Sequence, residues 1–74
     1  NLSHSNLNGV RFFATNLESA NLEGADLRNS VLDSARLTRA NLKDANLEGA
    51  FAANTKFEAA TIEGADFTDV QLRP

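Results

Sequence analysis

Seventy-four residues suffice for one domain, and a globule of that size buries little surface and is marginal alone. The chain has no cysteine, which excludes disulfide staples and thiolate metal sites. Its formal charge of -3, from ten acids and seven bases, is too mild to predict nucleic-acid binding or strong DNA mimicry, and no apolar run nears the roughly 18 residues of a membrane span.

From the first leucine the chain repeats every five residues. Leu2, Leu7, Phe12, Leu17, Leu22, Leu27, Leu32, Leu37, Leu42, Leu47, Ala52, Phe57, Ile62, Phe67 and Leu72 form one register, large and apolar except at Ala52. Ser5, Val10, Thr15, Ala20, Ala25, Ser30, Ala35, Ala40, Ala45, Ala50, Thr55, Ala60, Ala65 and Val70 form a second, small throughout. The register runs unbroken from Asn1 to Pro74, so residues 1–74 read as a single domain without linker or insertion. An α-helix cannot use it, because five residues advance about 140° and the leucines would spiral without forming a stripe. A flat strand fails too, since its side chains alternate with period two. Short extended pieces joined by turns satisfy both patterns, with the small and the large residue of each unit facing inward. The glycines fall at the predicted corners, as Gly9, Gly24, Gly49 and Gly64, where a missing Cβ is expected to relieve turn strain.

Ala20-Asn21-Leu22, Ala25-Asp26-Leu27, Ala40-Asn41-Leu42, Ala45-Asn46-Leu47 and Ala65-Asp66-Phe67 match the A-(D/N)-L-X-X signature, and over its whole length the chain resembles the pentapeptide-repeat family. The resemblance implies an all-β fold: a right-handed quadrilateral β-helix, a solenoid with four pentapeptides per coil. Just under four coils would then stand roughly 18 Å tall at about 4.8 Å each. Face one stacks Leu2, Leu22, Leu42 and Ile62; face two Leu7, Leu27, Leu47 and Phe67; face three Phe12, Leu32, Ala52 and Leu72; face four Leu17, Leu37 and Phe57. No amphipathic capping helix precedes Asn1 or follows Leu72, so the domain is expected to lack its terminal caps, as a fragment of a longer chain or with ends that stack between molecules.

The outward positions carry whatever the chain does. On face one Glu23, Lys43 and Glu63 alternate in sign between coils, and Arg28 on face two is expected to pair with Glu48. Asn1, Asn21 and Asn41 stack where they are expected to hydrogen-bond neighbouring turns locally. Face three departs from this polar pattern with Phe13, Val31, Phe51 and Ala53, with Val31 and Phe51 in one column. Either Phe51 tucks against the wall over the small Ala52, or this face docks a protein partner or another copy of the chain. Face four brings Arg36 and Lys56 into one column with Arg39 at the adjoining corner, a weak basic patch.

No catalytic, cofactor or metal pattern is present. His4 is a lone corner histidine, with Asp44 two coils away and too far for a Ser-His-Asp relay. No carboxylate pair is enclosed, and a filled interior leaves no cavity for a small-molecule substrate. The expected protein is a non-enzymatic structural or protein-interaction module without cofactor, nucleic-acid partner or membrane insertion. The run Gly64-Ala65-Asp66-Phe67-Thr68-Asp69-Val70-Gln71-Leu72-Arg73 resembles the close of lumenal pentapeptide-repeat proteins of cyanobacteria and chloroplasts, which implies the thylakoid lumen. In those relatives a short cysteine-bearing helical cap follows, before which this chain stops. The alternative within the family is a cytoplasmic, DNA-mimicking regulator of DNA gyrase of the quinolone-resistance type. Arg28, Arg36, Arg39, Lys43 and Lys56 interrupt the acidic faces such mimicry needs.

Overall fold

The computed structural model describes residues 1–72; Arg73, the last residue of the lumenal-type ending, and Pro74 lie outside the described residues. The chain returns to the same lateral position every twenty residues, as parallel bridges Asn6↔Asp26, Asn21↔Asn41, Asn41↔Thr61 and their equivalents show. Leu22 therefore lies one coil below Leu42, and Leu27 below Leu47. The extended pieces are short, as the pattern suggested. Each bridge involves a single residue per unit, because a turn every five residues leaves only the residue before the central one in ladder geometry.

The unit Ala25 to Asn29 shows why this geometry closes. Its five backbone N–H groups all find acceptors, as buried or half-buried amides must. Ala25 N donates to Leu22 O at 3.0 Å and closes the preceding turn. Asp26 N donates to Ser5 O of the previous coil at 2.9 Å. Leu27 N and Asn29 N donate to Asn46 O and Glu48 O of the next coil, at 2.7 and 3.1 Å. The remaining donor, Arg28 N, has no backbone partner and donates to Asp26 Oδ1 at 3.2 Å. That last bond is the physical reason for Asn or Asp before the central leucine: a short side-chain oxygen reaches the N–H two residues on. Asn1, Asn6, Asn16, Asn21, Asn41, Asn46 and Asp66 do the same. The stacked asparagines thus serve their own units rather than the adjacent coil.

The corners follow one rule. Every described corner residue has φ between +56° and +76°, and each turn is closed by an N–H to C=O bond from the fourth residue to the first, the signature of a type II turn. Glycine fills four of these corners, and residues such as Ala14, Ser34, Arg39 and Asp44 fill ten. Turn strain alone therefore does not place the glycines. At three of them a polar corner side chain of the preceding coil lies across the bare Cα: His4 over Gly24, Asn29 over Gly49 and Asp44 over Gly64. A Cβ there would collide with that side chain.

The interior is dry in the middle and open at both ends. Leu22, Leu27, Leu32, Leu37, Leu42 and Leu47 are fully buried, together with Ala25, Ser30, Ala35, Ala40, Ala45 and Ala50 of the small column. Leu2, Leu7 and Phe12 in the first coil are only half-buried, and Ile62 and Leu72 in the last are exposed. Ser30 is the polar exception: its Oγ is buried with no hydrogen-bond partner among the described residues. A hydroxyl in that state costs about 1–3 kcal/mol, and Ala50 one coil on shows that alanine fits the column. Ser30→Ala is therefore expected to raise stability by about 1 kcal/mol. Urea unfolding of the two proteins checks this, and a lower midpoint for the variant would contradict it.

Candidate functional site

On faces one and two the residue before each central side chain is spoken for by its backbone bond, except Thr61 on face one. Face two carries the full set as Asn6, Asp26, Asn46 and Asp66. Asp26 and Asp66 do more. Asp26 accepts Arg28 Nε at 2.9 Å and Nη2 at 2.8 Å, a two-point ion pair on an open surface. This corrects the expected Arg28–Glu48 pair. Residues 26 and 28 both point outward from one extended piece, so Asp26 is the nearer carboxylate. The Arg28 guanidinium, then its N–H, holds the Asp26 carboxyl below its ordinary value of 3.8. The Thr68 hydroxyl, at 2.6 Å, and its N–H lower Asp66 likewise. Among the described residues Glu23 and Lys43 make no ion pair, and Arg36–Glu18, at 3.3 Å, is the other pair.

These two shifts set an acid response. A carboxyl depressed in the folded chain contributes stability that is fully present above its unfolded value of 3.8 and is lost as pH falls through the folded value. Melting temperature is expected to drop as pH falls below about 4, and Asp26→Asn with Asp66→Asn to flatten that drop. Asparagine keeps the backbone bond, as Asn46 between them shows. A steep acid limb unchanged in the double variant would exclude these two groups as its cause.

Face three is built differently. Its bridging column runs Arg11, Val31, Phe51, Gln71, so Val31 and Phe51 do stack. No Asn or Asp precedes the central residue here. The Ala53 N–H is rescued from elsewhere, by Asp33 Oδ1 of the preceding coil at 3.0 Å. Asp33 sits in the other outward column, between Phe13 and Ala53. Phe51 thus occupies a position where face two uses a backbone-bonding side chain in every coil. Its ring does not tuck away over Ala52: Phe51 is 45% exposed and Phe13 66%. Val31 and Ala53 are half-buried, and Asp33, Phe51, Ala53 and Gln71 enclose a shallow groove of about 280 Å³.

Arg36 and Lys56 stack across the adjoining corner, and Arg39, at φ +60°, projects from the next one. Sequence reasoning did not find the Asp33 bond, because its partner is 20 residues away. It also did not single out the apolar cup in the last coil, about 370 Å³, lined by Phe57, Ala60, Ile62, Phe67, Val70 and Leu72. Phe57 and Phe67 meet there edge to face at 6.1 Å. The signal was present: phenylalanine replaces leucine at both inward positions.

The His4 ring lies against Gly24, and its side chain makes no hydrogen bond among the described residues. Among the described residues no group of histidine, aspartate and glutamate is placed to hold a metal ion, and no helix is long and apolar enough to cross a membrane.

No curated protein matches the chain. Among solved structures it resembles a pentapeptide-repeat protein from the thylakoid lumen of Arabidopsis thaliana, with 42% identity over 96% of this chain and 53% of that one and a TM-score of 0.60. A pentapeptide-repeat protein of Nostoc is 37% identical over 81% of this chain and 54% of that one, with a TM-score of 0.62. The chain thus spans about half the length of these two structures. The family model for pentapeptide repeats matches residues 1–33, 11–49 and 35–73. With the five-residue register, the twenty-residue bridges and the Asn/Asp backbone bonds all in place, the chain belongs to the pentapeptide-repeat family.

Proposed function

We propose that this chain is a non-catalytic protein-interaction module, a right-handed four-sided β-helix of just under four coils whose face three meets a protein partner. One observation carries the reading: Phe51 and Phe13 stand exposed on the face that has given up its own backbone-bonding residues. An exposed aromatic pair contributes nothing to the interior and gains only from being covered. The thylakoid lumen is the compartment this reading favours, supported by the lumenal origin of the Arabidopsis relative and by the resemblance of residues 64–73 to lumenal endings.

A photo-crosslinking residue at position 51, used in an extract of thylakoid lumen, is expected to give a discrete protein adduct. Phe13→Ser should suppress it, and the same probe at Glu48 on face two should give none. Equal adducts at both positions would reject the assignment of face three. Sedimentation velocity supplies the second arm: any self-association should weaken in the Phe13→Ser/Phe51→Ser protein, and sedimentation of an oligomer unchanged by the substitutions would exclude face three as its interface.

A further inference from the structure

We propose that Asn8 is a site of spontaneous modification, where the Asn8-Gly9 link converts to aspartyl and isoaspartyl forms whenever the turn from Leu7 to Val10 opens. Asn8-Gly9 is the one asparagine–glycine pair in the sequence. Asn8 is exposed on the outward side of face two, and its carboxamide makes no hydrogen bond among the described residues. The other asparagines are held differently. Asn1, Asn6, Asn16, Asn21, Asn41 and Asn46 each have Oδ1 bonded to the N–H two residues on. Each also precedes a leucine, whose branched side chain crowds its own backbone nitrogen. Asn29 and Asn54 precede Ser30 and Thr55, whose N–H groups close turns at 3.1 and 3.3 Å.

Glycine leaves the attacking nitrogen unhindered. The Gly9 amide gives its proton to hydroxide, and the nitrogen attacks Cγ of Asn8. The new bond from nitrogen to Cγ closes a five-membered imide. The bond from Cγ to Nδ2 breaks, and ammonia leaves with a proton from water, which restores the hydroxide. Water then adds to one of the two imide carbonyls. Addition at Cγ breaks its bond to the Gly9 nitrogen and leaves aspartate. Addition at the backbone carbonyl carbon breaks that bond and leaves isoaspartate, with the main chain rerouted through Cβ and Cγ. No electrons are transferred, and water and hydroxide are the only co-reactants.

The fold gates this step. Gly9 N donates to Arg28 O at 3.0 Å, so the proton that must leave is engaged. Asn8 is the second residue of a turn closed by Val10 N to Leu7 O at 3.1 Å, and Gly9, at φ +76°, is the third. The second residue of a type II turn has ψ near about +120°, which turns the Gly9 nitrogen away from the Asn8 side chain. Ring closure needs that torsion to rotate and both bonds to break, a local opening that leaves the rest of the solenoid in place. The isoaspartyl product does not fit the closed turn. Its extra main-chain carbon separates Val10 N from Leu7 O and loosens Leu7, which is half-buried against the core.

Ageing the intact protein in mildly alkaline buffer tests this, with peptide mapping by mass spectrometry and isoaspartate assayed by enzymatic methylation. Position 8 is expected to lose its amide before any other asparagine, with isoaspartate among the products. Unfolding the chain in guanidinium chloride should speed that loss by about tenfold or more, because the opening step is then already made. Gly9→Ala should slow it severalfold in the unfolded chain, where an effect on the fold plays no part. The isoaspartyl form, separated by chromatography, should melt below the parent. Asn8→Asp, with the same charge on an unaltered main chain, should melt close to it. First loss at another asparagine, equal rates in the folded and unfolded chain, indifference to Gly9→Ala, or an isoaspartyl form that melts with the parent would each overturn the proposal.

Discussion

Leu27→Ala is expected to destabilise the protein by about 2–5 kcal/mol, while the same truncation at Leu72 changes little. Leu27 is fully buried and sits one coil from Leu7 and Leu47, so truncating its side chain leaves a void lined by rigid neighbours. Leu72 is 69% exposed and already touches solvent, so nothing collapses around it. Urea unfolding of both variants measures the contrast. Equal losses at the two sites would mean that the interior is not the continuous dry column described.

Ala45→Leu is expected to cost about 1–3 kcal/mol by overpacking. Ala45 is 1% exposed, and its N–H closes the turn to Leu42 O at 2.9 Å, so neither its side chain nor its backbone has room to move. Ala25→Leu, one coil earlier in the same column, should behave alike. The substitution adds apolar surface, so a purely area-based view expects a gain in stability. A higher melting temperature for Ala45→Leu would show the small column to be tolerant and would undo the packing argument for it.

The stacking of Leu22 on Leu42, the inward alanines and the pairing of Val31 with Phe51 were legible in the sequence, because a strict period of five leaves little freedom once a coil length is chosen. The choice of twenty residues per coil came from family resemblance, and the bridges show it directly. Three features were not legible. The Arg28–Asp26 pair turns on which of two carboxylates is nearer, and residue types alone do not rank them. The Asp33–Ala53 bond joins residues whose proximity appears only once the coils are stacked. The corner glycines were read as strain relief, whereas Ala14 and Ala59 adopt the same left-handed φ, and three of the four glycines, Gly24, Gly49 and Gly64, make room for His4, Asn29 and Asp44.

The side-chain bond from Asn or Asp to the N–H two residues on has a consequence for where this architecture keeps room for change. Wherever that bond is made, an outward residue is tied to folding and is not free to vary with the partner. Asp33 breaks the tie on face three by serving Ala53 from the coil before, and position 51 is released to carry any side chain. One displaced carboxylate thus frees a point on the wall of the scaffold, and new binding specificity is most readily introduced at Phe51, with the backbone left untouched.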